Sequence, residues 1–112
     1  MRFLMISYPN TEAASTPPSP QMLQEMGKLV EAEKKAGILV ETGGLLPVSM
    51  GGARVRSKGG KFTILDGPFT ESKELVAGFA IVEVASFDEA LEASKRFYKV
   101  AGDGEGEIRQ IV

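Results

Sequence analysis

Asp66, Gly67, Pro68 and Phe69, followed at once by Thr70, Glu71, Ser72 and Lys73, are the residues of this sequence best arranged to do chemistry. Asp-Gly-Pro is turn chemistry: Gly reaches positive φ without a Cβ penalty, and Pro fixes its own φ. An apolar run from Leu75 to Val84 comes straight after. A carboxylate, an aromatic ring and further charges are thus held in a tight turn beside a core strand. Such a carboxylate can act as a general base or grip a cationic group, given a pKa raised by burial near Phe69. The competing reading is structural, with Asp66 accepting backbone N–H bonds and capping its own turn. The structural role is the heavier of the two, with function as an addition to it. Gly67 and Pro68 are conformational. Phe69 reads first as a core or interface plug and second as a platform for a ligand.

The remaining candidates surround this turn. Lys73 pairs with Asp66 or Glu71 in the functional reading and belongs to a solvated loop face in the plainer one. Arg54, Arg56 and Arg109 suit anions, because the guanidinium fork matches carboxylates and phosphates. Arg54 and Arg56, two residues apart, share one face of a strand, where surface decoration is the plainer reading. Tyr8 either donates a hydrogen bond into a cleft or forms its rim. The ligand-binding set is therefore Tyr8, Arg54, Phe69, Lys73 and Arg109, with Asp66 as the one catalytic candidate.

Several chemistries lack their residues. The chain has no histidine and no cysteine, which removes the usual neutral-pH base, the commonest transition-metal ligand and thiolate chemistry. The glycine pairs do not make a phosphate loop: Val55 and Phe62 stand where that motif needs Gly and Ser or Thr. Asp103 to Glu107 lacks the spacing of a calcium-binding EF-hand and reads as a solvated turn. No cofactor motif and no metal-ligand set is found. Met5, Met22, Met26 and Met50 read as core filler.

At 112 residues the chain is one domain, long enough to bury a core without staples. A net charge of −2 gives no sign of a nucleic-acid binder. No apolar run approaches the length of a membrane span. The expectation is a soluble cytoplasmic protein that engages neither nucleic acid nor membrane.

The elements that position the candidates follow from local signals. Arg2 to Ser7 is a nearly continuous apolar strand. Asn10 to Pro20 is a loop, and Ser19-Pro20 starts a helix with Ser as N-cap. Met22, Met26, Leu29, Val30 and Glu33 keep a helical rhythm that stops near Gly37, with Lys34 and Lys35 in the last turn. Ile38 to Thr42 is a second strand, ended by Gly43-Gly44. Ala53 to Arg56 and Lys61 to Leu65 flank Ser57-Lys58-Gly59-Gly60 as a hairpin. Leu75 to Val84 is a strand, and Ser86 with Glu89 forms a capping box for a helix carrying Ala90, Leu91, Ser94, Phe97 and Tyr98. Glu107 to Val112 is a closing strand.

The order is β-α-β, hairpin, β-α-β. This predicts an α+β ferredoxin-like domain over residues 1–112, with an inserted β-hairpin, an antiparallel sheet and two helices on one face. The other sheet face stays bare, at about 25 cal/mol per Å² of apolar surface left wet. A second copy packed against it is the remedy, so a homodimer is expected.

The Asp66–Lys73 block, with the opening and closing strands, the hairpin and the Asp-Glu-Ala of the second helix, resembles the DGPF-motif family, related to the YCII family. The resemblance implies a dimeric α+β barrel. It implies a histidine–aspartate pair in a cleft, of which only Asp66 has a counterpart here. Some relatives sit beside extracytoplasmic-function sigma factors, which implies a transcription-related protein partner. Three functions follow as alternatives: a dimer binding a small polar or anionic metabolite near Asp66, an enzyme (lyase, isomerase or hydrolase) using Asp66 as acid or base, or a regulatory module linked to a sigma factor.

Overall fold

The computed structural model of the protein describes residues 1–8, 18–46, 48–65 and 76–112. Four strands form one antiparallel sheet in the order β2-β5-β1-β6: β1 (Arg2–Ser7), β2 (Leu39–Gly44), β5 (Gly78–Glu83) and β6 (Gly106–Gln110). Two helices, α1 (Pro20–Lys35) and α2 (Phe87–Ala101), make the two crossovers. Among the described residues, the remaining strands, β3 (Arg54–Lys58) and β4 (Lys61–Leu65), pair with each other and with no other strand. This is the expected ferredoxin-like plan with its inserted hairpin.

The helices begin where their caps dictate. Ser19 Oγ accepts from the Met22 N–H at 3.1 Å, and Pro20 occupies a first-turn position whose N–H has no intrahelical acceptor. Ser86 Oγ accepts from the Glu89 N–H at 3.2 Å, while Glu89 Oε2 reaches back to the Ala85 N–H at 2.8 Å. The reciprocal bond falls one residue before the cap, a variant of the capping box.

Several boundaries differ from the sequence reading. β2 runs on through Gly43 and Gly44, because β5 supplies hydrogen-bond partners as far as Gly78. The irregular pairing between Leu39 and Glu41 sends Glu41 to the face away from the helices and brings Thr42 back to the helix face. β3 extends to Lys58, so the hairpin turn is only Gly59-Gly60, with φ of 58° and 77°. Two consecutive positive φ values are those of a type I′ turn, whose twist matches the strands. β6 starts at Gly106 and ends at Gln110. Met50 is not core filler: its side chain is exposed.

The buried core is small and sits towards one end of the domain. It comprises Phe3, Leu39, Val82 and Val84 from the sheet side, with Ala90 and Ala93 of α2 against them. No residue of α1 is fully buried. The Phe3 and Phe87 rings meet at 5.9 Å between centroids.

Candidate functional site

The register of the sheet explains why the core stops. Residues directly opposite in an antiparallel pair share a face, so three rows cross the helix-facing side. The first is Leu39, Val82, Phe3 and Gln110; the second is Thr42, Ala80, Met5 and Ile108. The third is Gly44, Gly78, Ser7 and Gly106. Side-chain volume falls along the rows until almost nothing projects. Ala90 and Ala93 of α2 pack into the filled end, with Val30 of α1 partly buried against them. A cavity of about 660 Å³ remains between sheet and helices.

Its walls are mostly apolar. Met26, Leu29 and Val30 of α1 and Leu91 and Phe97 of α2 face Met5, Ala80 and Ile108 of the sheet. Ser7, Thr42, Glu33, Ser94 and Tyr98 are among its polar lining residues. Thr42 Oγ1 donates to the Phe79 carbonyl at 2.9 Å, and Glu33 accepts from Arg96 Nε at 2.8 Å. Tyr98 meets the Phe97 ring edge-on, at 5.0 Å and 80°. Its hydroxyl lies over Gly106, where a Cβ would strike both that oxygen and the Ile6 carbonyl. Burial first, and the Glu105 carboxylate second, hold the Tyr98 phenol above its ordinary 10.0. It is therefore a neutral hydrogen-bonding group at neutral pH.

Of the predicted ligand-binding residues, Tyr8 and Arg109 come together, on the opposite side of the sheet. β1 and β6 are neighbours, and Tyr8 follows β1 with its N–H donating to the Glu105 carbonyl at 3.0 Å. The Tyr8 hydroxyl bonds to Glu107, with Glu105 and Arg109 close enough to act on it electrostatically. Partial burial, then the Glu107 bond and the two carboxylates, raise the phenol above 10.0, and Arg109 opposes them. Arg54 lies on the separate hairpin, opposite Leu65. Asp66, Phe69 and Lys73 lie outside the described residues. Among the described residues, no group of three or more acidic side chains is placed to hold a metal ion, and no helix is long and apolar enough to cross a membrane.

Sequence reasoning missed the cavity. Its signal was present in Gly43-Gly44, Gly78 and Gly106, but reading it requires knowing that these residues align across four strands.

This cavity-bearing α+β frame matches known proteins. The model of the YCII-related domain matches residues 1–112. The chain belongs to the YCII family. An uncharacterized protein of Rhizobium meliloti (strain 1021), R00369, is 31% identical over 85 residues, which cover 76% of this chain and 68% of that protein. Among solved structures, 5-chloro-2-hydroxyhydroquinone dehydrochlorinase (TftG) from Burkholderia phenoliruptrix AC1100, in complex with 2,5-dihydroxybenzoquinone, is similar with a TM-score of 0.54. That likeness covers 100% of this chain and 94% of the other at 14% identity, and speaks for the fold of this YCII protein.

Proposed function

We propose that this YCII-family protein binds a small, mainly apolar organic molecule of about ring size in the cavity between its sheet and helices. The Gly44–Gly78–Ser7–Gly106 row carries this reading, because it leaves about 660 Å³ open. That volume falls within the ordinary range of small-molecule sites, about 300–1,000 Å³. The lining favours an apolar body over the wholly polar or anionic metabolite suggested by Asp66 and the arginines. A hydroxyl or carbonyl substituent suits the Tyr98 phenol and the Ser7 hydroxyl. The ring compound held by TftG, on a similar fold, supports including hydroxylated rings among the trial ligands.

The experiment is a thermal-shift and NMR titration with hydroxylated benzenes, benzoquinones and aromatic acids. Binding raises the melting temperature of the wild type, and Ala80→Phe, which fills the cavity, abolishes the shift while the protein stays folded. A panel compound that binds the filled variant as well as the wild type overturns the site.

A catalytic reading is favoured by one observation: the similar TftG fold belongs to an enzyme. With no histidine in the chain, the proton-transfer candidates are Asp66, the carboxylate singled out from the sequence, and Tyr98, which lines the cavity. Turnover of a cavity ligand by wild type, lost in Asp66→Asn with binding retained, supports Asp66 as acid or base. Turnover unchanged in that variant removes Asp66 from the chemistry.

A further inference from the structure

We infer that the cavity takes a hydroxylated aromatic amine, its ammonium group bonded to Glu33 and its ring hydroxyl to Tyr98 and Ser7. This rests on the cavity reading above and names the class of molecule that the cavity selects.

The observation behind it is an acid in an apolar stripe. Met26, Leu29, Val30 and Glu33 follow the i, i+3, i+4, i+7 spacing of one face of α1, and all four line the cavity. A stripe that served packing alone has an apolar residue at the fourth position. Glu33 instead brings a carboxylate there, on a side chain 12% exposed. A carboxylate in such surroundings needs a partner. Arg96 supplies one from outside: it lines the depression beside Glu89 and Glu92, and it does not line the cavity. Its Nε occupies Oε1 of Glu33. Among the described residues, no hydrogen bond reaches Oε2, and no enclosed polar side-chain atom is left unbonded, so Oε2 is accessible. An ammonium group entering the cavity gains a charge-assisted hydrogen bond there.

The surrounding charges agree. Among the described residues that line the cavity there is no lysine or arginine, and the acids are Glu33 and Glu107. Glu107 bonds the Tyr8 hydroxyl on the other sheet face, which leaves Glu33 as the carboxylate for a ligand to meet. The segments outside the described residues carry Glu12, Asp66, Glu71 and Glu74 against the one base Lys73, so their composition adds no cationic excess. A ligand carboxylate therefore faces a like charge with no described counter-ion.

The polar groups also stand apart. The Glu33 carbonyl accepts from the Ile38 N–H, just ahead of Leu39 in the first row of the sheet. The Tyr98 hydroxyl lies over Gly106, in the third row with Ser7. Along β1 these rows are four residues apart, about 13 Å. A bare ring meets one pole. A ring with a hydroxyl at one end and a short amine-bearing chain at the other meets both.

Three probes of one shape and different charge test this by calorimetric titration of the full chain at pH 7 and low salt. They are tyramine (cationic), tyrosol (neutral) and 4-hydroxyphenylacetate (anionic). Tyramine is expected to bind about tenfold tighter than tyrosol, the scale of one hydrogen bond to a charged group, with the acid weakest. Glu33→Gln is expected to bring tyramine down to the affinity of tyrosol and to leave tyrosol unchanged. Arg96→Gln breaks the same ion pair but keeps the carboxylate, so the preference for the amine persists or widens. A purely structural role for the pair moves both variants alike and overturns the inference. So does 4-hydroxyphenylacetate binding wild type as tightly as tyramine, a result that needs no variant to fold. In both cases tyrosol binding that is lost in Ala80→Phe leaves the cavity reading standing. If none of the three binds in a way that Ala80→Phe abolishes, the inference fails, and the cavity reading fails with it unless a compound of the wider panel binds there.

Discussion

Arg96 Nε donates to Glu33 Oε1 at 2.8 Å, joining α2 to α1 across 63 residues of sequence. The Glu33 side chain is only 12% exposed, against 42% for Arg96. Exposed ion pairs contribute about 0–1 kcal/mol, but removing the arginine leaves the more buried carboxylate without its partner. Arg96→Ala is expected to destabilise the protein by about 1 kcal/mol, read as a lower urea midpoint with an unchanged slope.

Among the described glycines, Gly106 is the position least able to accept a side chain. A Cβ there meets the Ile6 carbonyl oxygen of the neighbouring strand and the Tyr98 hydroxyl together. Backbone cannot yield as a flexible side chain does, so Gly106→Ala is expected to cost about 3 kcal/mol, the upper end of overpacking effects. Adding Tyr98→Phe removes one of the two obstacles and recovers only part of the loss. Full recovery in urea denaturation would place the conflict with the phenol alone.

Both tyrosines of this chain titrate above the ordinary value. The folded state holds the phenolic protons more tightly than the unfolded chain, so their contribution to stability is fully present below pH 10. It is lost as pH rises through the folded values. Absorbance at 295 nm in a Tyr98→Phe background isolates Tyr8. Glu107→Gln is expected to bring its titration down towards 10, and Arg109→Gln to push it further up. Opposite signs would break the assignment of this cluster.

Ser86→Ala is expected to cost about 1 kcal/mol by freeing the Glu89 N–H at the start of α2. Ser86→Asp, which restores an acceptor at the cap, should return most of it. The comparison of melting temperatures for the two variants separates the loss of the cap bond from the mere loss of an exposed hydroxyl.

Much of the architecture was legible before any tertiary information. Ser19-Pro20 and Ser86 with Glu89 marked the helix starts, because capping is a bond between residues three apart. Ser57-Lys58-Gly59-Gly60 marked the hairpin, and its two glycines take the successive positive φ values of a type I′ turn. The boundary of β2 was not legible, since Gly43 and Gly44 look like a break until β5 lies beside them. The Phe79 ring covers Gly43 there, at 3.0 Å from where its Cβ would stand, an aromatic neighbour compensating a weak strand residue. The candidate site was legible only in part: Tyr8 and Arg109 were singled out, but Glu107, which bonds Tyr8, and Tyr98, which faces the cavity, were not.

The amino-acid order alone determined which segments are strands and helices, where the helices start, and that the β-α-β units flank an amphipathic ribbon, because those choices rest on contacts within a few residues. Tertiary structure decided the site. Ser7, Gly44, Gly78 and Gly106 are far apart along the chain, and each alone is an ordinary small residue. Only the pairing of β2, β5, β1 and β6 brings them into one row, and a void depends on what is missing at one level from every strand at once.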